Sequence, residues 1–105
     1  LLSRDNRPTA IFACNDLMAI GAMRAASDLG LRIPEDISIV GFDDIQMAQY
    51  TCPQLTTISQ PMVEMGKLAT EMLLERIGNA NTVQRIRILE PKLIVRQSTT
   101  KFPRQ

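Results

Sequence analysis

Polar side chains stand directly after two apolar runs that have the length of buried strands. Asn15 and Asp16 follow the first run, and Asp43 and Asp44 follow the second. In an open parallel sheet the carboxyl ends of the strands share one crevice, where ligands bind. An amide donates and accepts hydrogen bonds, and a carboxylate accepts from two hydroxyls. The spacing suits a polyhydroxylated ligand such as a sugar, and Gln60, after a further short run, is a candidate third contact.

The same residues have ordinary structural interpretations. Asn15 and Asp16 are typical helix N-caps. Asp43 and Asp44 are also typical of a turn, a cap or an acidic metal-binding pair. An acidic pair occurs in phosphoacceptor receiver domains too, but those need a further acid and a lysine at other strand ends, and the first lysine here is Lys67. Spacing alone leaves structural and ligand-binding roles both open.

The composition disfavours several classes of site. The 105 residues contain no histidine, which argues against the usual zinc sites and against Ser-His-Asp or Cys-His relays. Of the two cysteines, Cys14 lies in a strand-like run and is expected to be buried, and Cys52 lies in a loop; both fit a reducing setting. A net charge of +1 gives no general attraction to nucleic acid. We therefore expect no catalytic residue, no metal and no cofactor, and a protein that is not an enzyme.

Basic residues are concentrated near the end of the chain. Between Arg85 and Arg104 six basic side chains stand against one acid, Glu90. We interpret this segment, which includes Arg96, as a solvated edge strand and tail, with a phosphate-contacting patch as the alternative.

Apolar periodicity predicts alternating strands and helices. Strands are predicted over residues 9–14, 37–42, 55–58, 86–89 and 93–95, and helices over 17–29 and 62–77. This order predicts an α/β fold with a mainly parallel sheet. So few elements cannot cover both faces of such a sheet, so we expect the chain to be incomplete, as its start at Leu1 rather than Met also suggests.

The two predicted helices differ in their apolar surface. The first is apolar almost all round in its first half, whereas a helix that covers one sheet needs a single stripe. Its second stripe predicts a further buried surface, in a missing subdomain or a partner subunit. The second helix has one stripe, whose methionines Met62, Met65 and Met72 are expected to fill a core.

Four blocks of the sequence resemble the effector domains of the lactose-repressor/galactose-repressor (LacI/GalR) family of bacterial regulators. They are residues 8–23 (PTAIFACNDLMAIGAM), 33–44 (IPEDISIVGFDD), 53–61 (PQLTTISQP) and 91–99 (PKLIVRQST). The blocks occur in the family's order and at its spacing. Over its whole length the sequence is most similar to those of ribose-operon repressors and catabolite-control regulators.

The resemblance implies part of a type I, periplasmic-binding-protein-like fold with two lobes joined by three crossovers. In that fold residues 1–58 and 92–105 belong to the C-terminal lobe, and residues 61–90 belong to the N-terminal lobe. One crossover falls near Gln60 and the chain returns near Pro91. The DNA-binding domain, the hinge helix and most of the N-terminal lobe are expected to be absent from these residues.

The same resemblance implies roles for individual residues. Family positions that contact the effector match Asn15, Asp43 and Gln60. Asp16 and Asp44 are left as structural residues. The family's dimer interface matches positions on the first helix and in the loop after the second strand, namely Ile20, Met23, Arg24, Met47 and Tyr50. Such an interface accounts for the second apolar stripe of the first helix.

The function that the resemblance implies is that of a cytoplasmic, dimeric transcriptional repressor without membrane attachment. A sugar or related metabolite, with a ribose-like sugar among the candidates, would bind the effector domain and shift the population of DNA-competent dimers. Operator DNA would be bound only through the absent N-terminal domain. The alternative is the C-terminal part of a periplasmic sugar-binding protein of a transporter, which shares the fold and the three polar positions.

Overall fold

The computed structural model describes residues 1–79, 81 and 83–102. The chain forms two compact units, the first made of Leu1–Ser59 with the segment from Lys92 onward and the second of Gln60–Pro91. The first unit contains β1 (Ala10–Phe12), α1 (Asp16–Asp28), β2 (Ser38–Val40), a short 3-10 helix (Gln46–Gln49), β3 (Thr57–Ser59) and β4 (Lys92–Ile94), and the second contains α2 (Met62–Gly78).

The strands of the first unit pair in both directions. β1 and β2 are hydrogen-bonded in parallel, and isolated parallel bridges join Val40 to Thr56 and Asp43 to Ser59. The connection between β1 and β2 is the helix α1, as parallel neighbours require. β3 and β4 pair antiparallel. The predicted α/β class with mainly parallel pairing is confirmed.

The core of the first unit is formed by α1, β2 and the segments beside them. Ile39 of β2 and Ile37, which directly precedes that strand, are both fully buried. Ala19 and Ala26 lie seven residues apart on α1, hence on one face, and are also fully buried. Their small side chains allow the helix to approach the strands closely. The other core members are Ala13, Met23, Ala48 and Leu55.

Local signals fix both ends of α1. Asn15 caps the amino end, where its side chain accepts a hydrogen bond from the Met18 amide. Gly30 follows the carboxyl end with φ 70°, and its amide donates to the Ser27 carbonyl at 3.0 Å. Glycine adopts this left-handed conformation without a steric penalty. The predicted bounds of 17–29 therefore differ from the observed helix by one residue at each end.

An ion pair closes the turn that leads into β2. The Arg32 guanidinium donates to both carboxylate oxygens of Asp36 at 2.9 Å, and the Arg32 backbone amide donates to the same carboxylate at 2.8 Å. Hydrogen bonds from the Arg32 side chain and backbone lower the pKa of Asp36 to about 2, from its usual 3.8. The carboxylate is therefore ionised throughout the physiological range and holds the turn in place.

The second unit differs from the sequence prediction at its methionines. α2 has no buried residue in this chain; Met62 and Met65 are exposed and Met72 is half-buried. The expectation that these methionines fill a core is not met here, because α2 is the only helix or strand among the described residues of this unit. The apolar stripe itself is present as predicted.

The predicted strand over residues 86–89 is wrong. The structure has no strand between α2 and β4 in residues 83–91, and Ile86 and Ile88 are exposed. A strand exists only where a neighbour accepts its hydrogen bonds, and β-branched residues alone do not supply one. The Arg85 side chain in this segment contacts Glu75 of α2, at 3.3 Å between Nη2 and Oε1.

Both cysteines lie at the surface of the first unit. Cys14 is exposed, so the expectation of a buried thiol is wrong: its strand ends at Phe12, and Cys14 lies outside the pleat. Cys52 is exposed, as expected for a loop.

Within residues 1–79, 81 and 83–102, no helix has the length and apolar character needed to cross a membrane.

Candidate functional site

Asn15 and Asp43 lie at the same edge of the β1–β2 pair. Asn15 comes three residues after the end of β1, and Asp43 three residues after the end of β2. The Asp16 amide donates to the Phe42 carbonyl at 3.0 Å, which ties the two following loops together. Because β1 and β2 are parallel neighbours, both loops leave the sheet at its carboxyl edge, where ligands of open α/β sheets bind.

Asn15 has the capping role that its sequence position indicates. Its Oδ1 atom accepts from the Met18 amide at 2.8 Å, and its own backbone is extended, with φ −153° and ψ 168°. The side chain is half-buried. Capping occupies the oxygen, whereas the side-chain amide nitrogen offers two further donors. The cap thus fixes the position of Asn15 at the sheet edge and is compatible with a ligand-binding role.

Asp43 and Asp44 directly follow a bend at Phe42 and have an uncommon backbone, and we call residues 42–45 the turn. Their φ angles are 115° and 55°, in the left-handed region that aspartate, asparagine and glycine adopt more readily than other residues. The Asp43 amide donates to the Ile58 carbonyl at 2.9 Å, which places the turn beside β3. Both side chains are half-buried at the sheet edge.

Asp44 is held by a basic residue that the sequence interpretation placed in a solvated tail. Arg96 Nη2 donates to Asp44 Oδ1 at 2.7 Å, and Arg96 Nη1 donates to the Leu55 carbonyl at 2.9 Å. The two charged side chains are only 13% and 19% exposed. The expectation of a solvated segment is wrong for Arg96, because its guanidinium is enclosed by the turn and by the segment before β3.

Asp16 is the most enclosed charged residue of this edge. It is fully buried, and its carboxylate accepts from Thr57 Oγ1 at 2.5 Å and from the Ile45 amide at 2.8 Å. Its side chain is therefore used inside the protein rather than as a helix cap. The structural role expected for Asp16 and Asp44 is confirmed.

Thr57 and Ser98 are further polar residues of this region that the sequence did not single out. Both are fully buried. The Ser98 hydroxyl donates to the Ile39 carbonyl at 2.6 Å and accepts from the Thr56 amide at 2.8 Å. Their burial depends on contacts between segments that are distant in the sequence. The residues next to Thr57 and Ser98 therefore do not indicate that these two side chains are buried.

Gln60, the third predicted contact, begins the second unit. It directly follows β3, and its backbone carbonyl accepts from the Met62 amide at 2.8 Å at the start of α2. The side chain is half-buried. Its role as a ligand contact stays a prediction.

The residues predicted for a dimer interface have different exposures. Met47 lies on the 3-10 helix and is 53% exposed, and Tyr50, which directly follows that helix, is 74% exposed. Arg24 is exposed and pairs with Asp28 on α1. Ile20 is half-buried. Met23 is 7% exposed and belongs to the core of the first unit, so its side chain adds little to any surface. The exposed apolar side chains at 47 and 50 are the features that an interface needs.

Two of the acidic side chains at this edge have partners within the protein. In the described part of the chain, no group of three or more histidine, cysteine, aspartate or glutamate side chains could hold an ion. Asp44 is paired with Arg96, and Asp16 with Thr57 and the Ile45 amide. Asn15 and Asp43 at this edge carry an amide and a carboxylate, two groups that form hydrogen bonds with hydroxyls.

Comparison with known proteins identifies the family. Residues 1–99 match the periplasmic binding protein-like domain family. The chain is 52% identical over 98 residues to the ribose operon repressor of Haemophilus influenzae, and 48% identical over 102 residues to the transcriptional repressor PurR of Vibrio vulnificus. These alignments cover 93% and 97% of the chain, which spans about 30% of the length of each relative.

Solved structures agree with the sequence relatives. A LacI family regulator from Enterococcus faecalis with bound ribose superposes with a TM-score of 0.85 at 41% identity, over 90% of this chain and 36% of that one. The regulator CelR in complex with cellobiose superposes with a TM-score of 0.83 at 38% identity, over 92% of this chain and 30% of that one. The chain therefore belongs to the periplasmic binding protein-like domain family, in the form that LacI family transcriptional regulators contain.

Proposed function

We propose that this chain forms the effector-sensing and dimerisation portion of a cytoplasmic bacterial transcriptional repressor. A sugar binds at the carboxyl edge of β1 and β2 and thereby controls the binding of operator DNA by a domain outside these residues. The observation that carries the proposal is the juxtaposition of Asn15 and Asp43, whose loops are joined by the Asp16–Phe42 backbone hydrogen bond. An amide donor beside a carboxylate acceptor suits adjacent sugar hydroxyls.

Gln60 supplies a third contact in this proposal. The division of the chain at Ser59 and Gln60, and again at Pro91 and Lys92, supports the assignment of residues 1–58 and 92–105 to one lobe and of 61–90 to the other. Gln60 then lies where the chain crosses between lobes. An effector that binds one conformation of the full-length protein better than another shifts the population of DNA-competent protein.

Ribose is the first candidate effector. The relative at 52% identity is a ribose operon repressor, and the regulator from Enterococcus faecalis holds ribose. The relatives are regulators rather than enzymes or transport receptors, which favours repression over the periplasmic transport alternative. No catalytic group, metal or cofactor is part of the proposed mechanism.

Replacing Asp43 in the full-length protein tests the site. Asp43→Asn is the informative variant, because asparagine tolerates a φ of 115° and removes only the charge. Hydrogen bonds to a charged group contribute about 1.5–3 kcal/mol, so we expect the Kd for D-ribose to rise by about 20-fold in isothermal titration calorimetry. Asp28→Asn, on an exposed aspartate of α1, is the matched control and should leave the Kd unchanged.

Two results would count against this proposal. An unchanged Kd in Asp43→Asn removes Asp43 from the site. If the wild-type protein binds none of ribose, cellobiose and lactose, the proposal that its effector is one of these sugars is rejected.

The proposed dimer uses Tyr50, Met47, Ile20 and Arg24, with Met23 packed in the core behind them. Tyr50→Asp places a charge on an apolar surface that association would bury, so we expect the dimer Kd to rise at least about 10-fold in sedimentation equilibrium. Glu35→Lys, at an exposed position in the turn before β2, is the control. Equal dimer stability in the wild type and Tyr50→Asp would place the interface elsewhere.

A further inference from the structure

The buried carboxylate of Asp16 connects three segments of the candidate site. Asp16 is the first residue of α1, directly after Asn15. Its Oδ1 atom accepts from the hydroxyl of Thr57 on β3, and its Oδ2 atom accepts from the amide of Ile45, which follows the Asp43–Asp44 turn. A change in the position of this one carboxylate would therefore affect the start of α1, the turn and β3 together.

Three successive backbone amides of the turn each donate a hydrogen bond. The Asp43 amide donates to the Ile58 carbonyl at 2.9 Å. The Asp44 amide donates to Thr57 Oγ1 at 3.3 Å, and the Ile45 amide donates to Asp16 Oδ2 at 2.8 Å. The Thr57 hydroxyl thus accepts from the turn while it donates to Asp16. Two of the three acceptors are side chains, so the turn depends on Asp16 and Thr57 as well as on strand pairing.

The backbone of the turn needs such support. Asp43 and Asp44 have φ angles of 115° and 55°. Residues other than glycine rarely adopt these conformations, and they persist where surrounding interactions impose them. The hydrogen bonds from the three amides are interactions of that kind. Thr57 and Asp16 thus hold the amides of the two residues that directly follow Asp43.

Asp16 and Thr57 cannot contact a ligand themselves. Both are fully buried, and both carboxylate oxygens of Asp16 accept hydrogen bonds from the protein. Any influence on binding must pass through the residues they hold.

We infer that Asp16 and Thr57 are positioning residues for the effector site, which fix the Asp43 backbone in its ligand-binding conformation without touching the effector. The inference rests on the proposed function for the identity of Asp43 as a ligand contact. A general contribution to stability would not depend on Asp43. A positioning role predicts instead that breaking the Thr57–Asp16 hydrogen bond lowers affinity less when the Asp43 carboxylate has already been replaced.

The test compares Thr57→Val with Thr57→Ser in the full-length protein. Valine removes the hydroxyl and keeps the shape, whereas serine keeps the hydroxyl. We expect the Kd for D-ribose to rise about 10-fold in Thr57→Val and to stay within about 2-fold of wild type in Thr57→Ser. Thr57→Val combined with Asp43→Asn should lose less affinity than the sum of the two single losses, because both changes weaken the same contact.

Additive losses in the double variant, or equal affinities of the valine and serine variants, would overturn the inference. Asp16→Asn is the second variant if Thr57→Val does not fold. It places an NH2 group against either the Ile45 amide or the Thr57 hydroxyl, and its coupling to Asp43→Asn is read in the same way.

Amide hydrogen exchange without ligand separates this inference from the proposed function. Thr57→Val should accelerate exchange at Asp44 and Ile45 by at least about 10-fold relative to the amides within α1, and Thr57→Ser should not. Unchanged exchange at the turn overturns the positioning role, whatever the protein binds. Accelerated exchange, together with a wild-type protein that binds no sugar, supports the positioning of the turn and rejects the proposed function.

Discussion

Replacing Arg96 with methionine is expected to lower the free energy of unfolding by about 3 kcal/mol. The substitution leaves the Asp44 carboxylate, which is 19% exposed, without its 2.7 Å partner. Removing one member of a buried ion pair costs about 3–5 kcal/mol, and the partial exposure of both side chains places this pair at the lower end. Arg96 also donates to the Leu55 carbonyl at 2.9 Å, and that acceptor loses its partner too.

Urea unfolding of the full-length protein, followed by circular dichroism, measures this effect. Arg85→Met is the matched control, because Arg85 lies outside the proposed interface and pairs with Glu75 at 3.3 Å with side chains that are 59% and 46% exposed. Exposed pairs contribute less than about 1 kcal/mol. Adding Asp44→Asn to Arg96→Met should recover part of the loss, since the unpaired charge is then removed. Equal losses for Arg96→Met and Arg85→Met would show that the enclosure of the Arg96 pair has no energetic consequence.

Replacing Gly41 with alanine is expected to lower the free energy of unfolding by about 3 kcal/mol, at the upper end of the cost of overpacking. A Cβ atom at Gly41 would overlap Asp16 Oδ1 and would lie 3.0 Å from Leu55 Cδ2 and 3.3 Å from the Ala19 Cβ. None of these atoms is at the end of a long flexible side chain. The Asp16 carboxylate in particular is fixed by Thr57 and Ile45. Gly41 is therefore required for space rather than for backbone freedom.

Gly21→Ala is the control, with an effect of opposite sign. A Cβ at Gly21 meets nothing within 4 Å, and Gly21 lies inside α1. Alanine is favoured over glycine in helix interiors by about 0.5–1 kcal/mol, so this variant should be slightly more stable than the wild type in the same urea experiment. Similar stabilities for the two alanine variants would contradict the packing argument at Gly41.

The sequence predicted most of the elements because their signals are local. Asparagine at position 15 and glycine at position 30 bracket α1, and the observed helix differs from the prediction by one residue at each end. The apolar runs around Ile11 and Ile39 became the parallel pair. The resemblance to LacI family effector domains added the detailed fold and the family, and the comparisons confirmed both.

The failures share one physical cause. The strand predicted over 86–89, the burial of Cys14 and the solvation of Arg96 each depend on what another segment does. A strand needs a partner that accepts its hydrogen bonds, and a thiol is buried only if something covers it. Periodicity describes the preference of one segment and carries no information about its neighbours.

The sequence and the tertiary structure explain different properties of the polar edge. Residue type and spacing alone placed Asn15 and Asp43 after neighbouring strands and made a hydroxyl-binding site plausible. Only the tertiary structure decided that Asp16 holds the turn with Thr57 and that Arg96 is enclosed beside Asp44. These contacts join residues 41 and 52 positions apart. Contacts at that separation depend on the path of the folded backbone, and local preferences do not determine that path.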